Sequence, residues 1–168
     1  AVLKILGNNS KEVWYYSEGK TIEFIGEGQK IQSRLLEGEF PPYEKVIPLS
    51  HETQLVFKKE DFSNALKTVG LFAREGSRMV IFKIEGGKLT LSSASPGSGE
   101  GTAEITPSLF EGKDNKITFN HKYLVDISGH LDGEDIVFEM SNPFAPGVFK
   151  NINEDGYTHI IMPIRTQE

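Results

Sequence analysis

Apolar positions along the chain switch between two periods, one suited to strands and one to helices. Residues Glu52 to Lys58 read as a strand. Glu60 to Arg74 carry Phe62, Leu66, Val69 and Ala73 on one stripe, the spacing of an amphipathic helix. Acids open that helix and Arg74 lies near its end, as the helix dipole favours, and Gly76 supplies a stop. Strands are predicted at Arg78 to Ile84, Lys88 to Ala94 and Gly101 to Thr106, separated by the turn signals Glu85-Gly86-Gly87 and Ser95-Pro96-Gly97-Ser98-Gly99.

The pattern of strand, helix and three strands then repeats. Lys116 to Phe119 forms a strand, and Asn120 caps a helix whose Leu124, Ile127 and Leu131 share one buried face before Asp132-Gly133 ends it. Three strands follow at about Asp135 to Met140, Gly147 to Ile152 and Tyr157 to Met162, with turns at Asn142-Pro143 and Asp155-Gly156. Upstream, Val13 to Tyr16, Thr21 to Ile25 and Lys30 to Leu36 are three further strands, preceded by a short apolar stretch, Ala1 to Leu6, that looks like the end of a helix. The expectation is that the chain starts inside a repeat unit. Residues 1 to 48 would be half a domain, residues 49 to 168 a whole one, and the proline-rich segment from Glu39 to Ser50 the linker.

Composition narrows the class. The 168 residues contain no apolar run long enough for a membrane helix and no signal segment, and cysteine is absent, which fits a soluble protein of the cytoplasm. A formal charge of -6 argues against a surface that coats nucleic acid everywhere and confines any DNA contact to one face. His51, His121, His130 and His159 lack metal-ligand spacing, so no metal and no cofactor is expected. The glycines around Ser98 lack the Gly-Lys-Ser/Thr of a phosphate loop, and no serine sits in a nucleophile elbow. No catalytic constellation emerges, so the chain reads as a non-enzyme.

Four strings, in order and at compatible spacings, resemble the bacterial beta sliding clamp family. They are Ser33 through Pro48, containing Leu35-Leu36-Glu37-Gly38-Glu39-Phe40-Pro41-Pro42-Tyr43; Leu71-Phe72-Ala73-Arg74-Glu75-Gly76; Ile117-Thr118-Phe119-Asn120 with Tyr123-Leu124; and Tyr157 through Arg165. The resemblance implies an α+β DNA-clamp fold of repeated units, with antiparallel sheets outside and helices inside. It also implies a processivity factor for the bacterial replicative polymerase, DNA polymerase III, whose full-length homodimeric ring encircles duplex DNA. This chain would hold half of clamp domain two and all of domain three.

The family's peptide cleft lies between those domains and takes segments of the type Gln-Leu-x-Leu-Phe from polymerase, clamp loader and repair proteins. Carried over, its residues are Pro41, Lys45, Val46, Asn120, Tyr123, Gly147, Ile160, Met162, Pro163, Ile164 and Arg165. Burial of a ligand Leu and Phe would drive binding at roughly 1.5 to 3 kcal/mol each, with Met162 adapting to varied partners. A bland alternative makes Ile160 to Ile164 an ordinary buried strand. For a ring, weak contact with phosphates would fall on helix cations, Lys4, Lys67, Arg74 and Lys122. Leu71 and Phe72 match the family's subunit interface, and at most one of them is expected to be fully exposed.

Two other classes compete. A β-rich ligand- or carbohydrate-binding module would use Trp14, Tyr15 and Tyr16, although alternation lets at most two share a face. A hydrolase using Glu134 and Asp135 is disfavoured because adjacent strand residues point apart. The open edge expected for residues 1 to 48 should leave that segment poorly ordered or paired with a second copy of the chain. Sedimentation and hydrogen exchange test this: a compact monomer with the segment protected counts against it.

Overall fold

The computed structural model describes residues 12–26, 28–40, 42–75, 78–97, 99–152 and 156–165. The helix end expected over residues 1–6, the turn residue Asp155, and Lys4, Pro41, Gly76 and the Arg74 side chain lie outside the described part. Two compact units meet in sequence between Pro42 and Tyr43, so residues 43–48 go with the second unit.

In the first unit, runs rich in β-branched and aromatic residues form β1 (Trp14–Glu18) and β2 (Thr21–Gly26), and the more polar β3 (Gln29–Arg34) completes an antiparallel sheet in that order. Each hairpin has a two-residue loop with a glycine at positive φ, Gly19 at 58° and Gly28 at 78°. A glycine at positive φ lets so short a loop match the twist of the flanking strands.

The second unit opens with a 3-10 turn, Tyr43–Lys45. The elements that follow are β4 (Thr53–Lys58), α1 (Lys59–Glu75), β5 (Met79–Glu85), β6 (Lys88–Ser95), β7 (Gly99–Ile105), β8 (Leu109–Gly112), β9 (Asn115–Asn120), α2 (His121–Ser128), β10 (Asp135–Met140), β11 (Gly147–Asn151) and β12 (Thr158–Ile161). They make a five-stranded sheet, β12-β11-β10-β4-β8, and a four-stranded sheet, β7-β6-β5-β9, both antiparallel. The repeat is real, but its two copies are not closed units. β4 opens the first copy yet pairs with β10 of the second, Val56 facing Val137; β9 opens the second copy yet pairs with β5 of the first, Thr118 facing Ile81.

Between the sheets the core is shared. Phe57, Phe62, Phe82, Phe119, Phe138 and Phe149 are fully buried, with neighbouring ring centroids 4.8 to 6.1 Å apart. The predicted α1 stripe, Phe62, Leu66, Val69 and Ala73, is buried, and Glu60 and Asp61 occupy the first turn. α2 lies against α1. Ser63 and Ser128 hydroxyls meet at 3.1 Å, and His121 Nε2 donates to the Leu66 carbonyl at 3.1 Å. The imidazole fits because Gly70 has no side chain; a Cβ there would sit 2.6 Å from Nε2. Neither helix is long and apolar enough to cross a membrane.

Three details depart from the sequence reading. α2 stops at Ser128 rather than running to Leu131, because Gly129 caps it; His130 and Leu131 then turn back, both donating to the Ile127 carbonyl, which buries Leu131 outside the helix. β8 carries too few residues to show a period. Glu134 precedes β10, so alternation does not separate it from Asp135: both carboxylates reach Lys58 Nζ, at 3.6 and 3.1 Å.

Gly147 is buried where a Cβ would lie 2.4 Å from Phe119 and 3.0 Å from Phe138. Gly147→Ala should therefore overpack the core and destabilise by about 1 to 3 kcal/mol in urea unfolding; an unchanged midpoint would contradict this packing. On β12, burial first and then the neighbouring His130 hold the His159 imidazole below its ordinary pKa, against the opposing pull of Asp126, and the Tyr157 hydroxyl lies 3.1 Å from its Nδ1. The unfolded chain then binds more protons, so stability falls as pH drops through about 6.5 toward the lower folded value. His159→Gln should remove that loss. Melting of both proteins across this range checks it: a difference that stays constant with pH overturns the assignment.

Candidate functional site

β12 ends at Ile161, and the following residues leave its sheet for the edge of the other one. There the Ile164 amide donates to the Thr118 carbonyl of β9 at 2.8 Å. A groove of about 250 Å3 opens at this crossing, walled by Lys116, Ile117, Thr118, Pro143, Phe144, Ile164 and Arg165. Phe144 is 61 % exposed. Asn142 presents it by accepting from the amides of Phe144 and Ala145 at 2.9 and 3.0 Å, an Asx turn. Apolar lining from Ile117, Pro143, Phe144 and Ile164 beside the charged Arg165 suits a short peptide with apolar side chains.

Of the expected cleft residues, the groove brings together Ile164 and Arg165. Met162, 60 % exposed, and half-buried Pro163 precede them in the same terminal segment, and Tyr123 is exposed on α2. Ile160 is half-buried on β12 opposite Val148, so only part of Ile160 to Ile164 behaves as an ordinary buried strand. Two assignments have structural duties. Asn120 caps α2, its side chain accepting from the Lys122 amide at 2.9 Å, and Gly147 lies beneath the surface against the phenylalanine cluster. Lys45 and Val46 are exposed at the 3-10 turn, where the Val46 amide donates to the Tyr43 carbonyl at 2.9 Å. Thr118, Pro143 and Phe144 were not anticipated. A large apolar residue directly after Asn-Pro was the available signal.

Cations are sorted by face. On the strands, Lys58 pairs with Asp135, Lys83 with Glu85, Lys88 with Glu104 and Lys150 with Glu139, and in the turn after β8 Lys113 pairs with Glu52, at 2.7 to 3.5 Å. The Asp135 hydrogen bond raises the Lys58 pKa above its ordinary value, against a smaller effect of burial. Lys67 on α1 and Lys122 on α2 are exposed, and their side chains make no ion pair among the described residues. The same holds for Arg78, between α1 and β5, which the strand pattern had absorbed.

Near the end of α1, Leu71 is 67 % exposed while Phe72 is half-buried, its ring lying over Gly101 of β7, where a Cβ would fall 2.3 Å away. One of the pair therefore packs and the other faces out. Among the described residues, no three His, Asp or Glu side chains gather to hold a metal ion.

Comparison with known proteins fits this geometry. The family described as DNA polymerase III beta subunit, C-terminal domain, matches residues 44–165. The beta sliding clamp of Staphylococcus epidermidis is 32 % identical over 164 residues, which is 97 % of this chain and 44 % of that protein. Among solved structures, the DNA polymerase sliding clamp of Bacillus subtilis aligns with a TM-score of 0.81 at 27 % identity, over 99 % of this chain and 44 % of that one. A sliding clamp (DNA polymerase III subunit beta) of Bartonella birtlesii, bound to griselimycin, aligns with a TM-score of 0.76 at 30 % identity, over 92 % and 41 %. The chain thus spans less than half the length of these relatives. It belongs to the DNA polymerase III beta subunit family, and residues 44–165 are that family's C-terminal domain.

Proposed function

We propose that this chain is the peptide-docking part of a sliding clamp, an accessory and non-catalytic subunit that keeps the bacterial replicative polymerase on DNA in the cytoplasm. The observation that carries the reading is the groove where the terminal segment crosses to β9, with Phe144, Ile164 and Arg165 on its walls. Its ligand would be a short segment of the type Gln-Leu-x-Leu-Phe from polymerase, clamp loader or repair proteins. Apolar side chains of that segment lose water against Phe144, Ile164 and Met162, and Arg165 meets its polar atoms. The griselimycin-bound clamp of Bartonella birtlesii supports the idea that clamps of this family present a ligand site.

Lys67 and Lys122, which make no ion pair among the described residues, support a reading in which the helix face turns toward duplex DNA, with Lys4 and Arg74 as further expected contacts. A full-length subunit would close a homodimeric ring through a surface that includes Leu71, whose exposure supports that role. The carbohydrate-binding alternative draws on Trp14 and Tyr16, both exposed on β1, but membership of the clamp family favours docking of peptides over sugars.

Titration of the chain with a fluorescent Gln-Leu-x-Leu-Phe peptide tests the reading. Binding should saturate, and Met162→Ala or Phe144→Ala should each weaken it about tenfold, equivalent to about 1.4 kcal/mol. Absence of binding, or saturable binding that neither substitution alters, would sink it.

A further inference from the structure

We propose that Met162 is a site of reversible oxidation by peroxide, and that its sulfoxide releases peptides from the groove beside β9. The inference rests on the peptide-docking reading above and adds a control on that same site.

Sulfur in this chain is confined to three methionines, since cysteine is absent. Their surroundings differ. Met140 on β10 is 1 % exposed within the core, and Met79 on β5 is half-buried opposite Asn120 of β9. Met162 is 60 % exposed, so it is the sulfur that a dissolved oxidant meets first. A thioether, unlike a thiol, needs no deprotonation before it reacts; access to the sulfur therefore decides which methionine is oxidised.

The reaction is an oxygen-atom transfer. The thioether sulfur attacks one oxygen of hydrogen peroxide, an S–O bond forms and the O–O bond breaks. The hydroxide that leaves takes the proton from the new S–OH group and becomes water. Sulfur loses two electrons and peroxide gains them, so the step needs no further reagent.

The position of Met162 gives this change a consequence. β12 ends at Ile161, and Met162 is the first residue of the segment that crosses to β9. That segment is tethered on both sides of it. Ile161 pairs with Gly147 of β11 before it, and after it the Ile164 amide donates to the Thr118 carbonyl at 2.8 Å. Ile164 and Arg165 wall the groove, and two residues of chain span at most about 7 Å, so a change of polarity at Met162 falls beside the groove. Reduced, the side chain is apolar and flexible and adapts to varied ligand surfaces. The sulfoxide carries an oxygen that must lose water when an apolar ligand residue settles on it, with no donor supplied in return. The fold is spared because the oxidised atom stands outside the core, and methionine sulfoxide reductases restore the thioether.

Limited treatment of this chain with hydrogen peroxide, followed by peptide-mapping mass spectrometry and titration with the fluorescent Gln-Leu-x-Leu-Phe peptide, decides the matter. Met162 should gain one oxygen at least about tenfold faster than Met140. The singly oxidised chain should bind the peptide about tenfold more weakly at an unchanged melting temperature, and reductase treatment should bring the affinity back. Saturating peptide should slow the oxidation. Met162→Leu, which stays apolar and lacks the sulfur, should show the same affinity before and after peroxide, whatever that affinity is. If the untreated chain binds no peptide, the docking reading falls and this inference falls with it. Docking stands but oxidative control is overturned if Met162 is oxidised without loss of affinity, if Met79 or Met140 is oxidised first, or if peroxide weakens the Leu variant equally.

Discussion

The packing of Phe57, Phe62, Phe82, Phe119, Phe138 and Phe149 is the constraint on which the second unit depends. Each ring comes from a different element, so both sheets and α1 are located by the same contacts. Losing one such ring typically costs about 3 to 5 kcal/mol, which is a large part of a domain's net stability. The groove beside β9 inherits its shape from this cluster. β9 sends Phe119 into the core and offers the Thr118 carbonyl to Ile164, so the terminal segment is positioned by a strand that the core holds still. β11 can approach the rings only because position 147 is glycine.

Local features of the fold were legible in the sequence because their causes are local. The apolar stripe and leading acids of α1, the Asn120 cap of α2 and the alternation of the strands all depend on near neighbours. The exchange of β4 and β9 between the two repeats was not legible, since periodicity tells which face of a strand is buried but not which strand lies beside it. β8 has four residues and is defined by pairing with β4, and Leu131 is buried from a turn rather than from the helix that its spacing implied. Of the cleft residues that family likeness suggested, Ile164 and Arg165 line the groove beside β9. Phe144 escaped because its exposure on the groove comes from an Asx turn.

Ion pairs on the sheets add little to stability, since exposed pairs are typically worth 1 kcal/mol or less. Their larger effect is on the field. Carboxylates neutralise Lys58, Lys83, Lys88 and Lys150 where they stand on the strands, and Lys67, Arg78 and Lys122, which make no ion pair among the described residues, are left to shape the potential near the helices. A chain that is acidic in sum can thereby be basic in one place without any long basic run.

Strand exchange between the repeats also governs how the domain can come into being. β4 has two partners, β8 and β10, and both are made after α1 and the whole of β5 to β7. On a ribosome, β4 would emerge with its apolar residues Leu55 and Phe57 and wait unpaired until residues 109–112 and then 135–140 had been synthesised. Contacts so distant in sequence make folding slow and leave the nascent strand open to wrong pairing. The same arrangement that welds the two repeats into one cooperative body thus makes its earliest strand dependent on protection during translation.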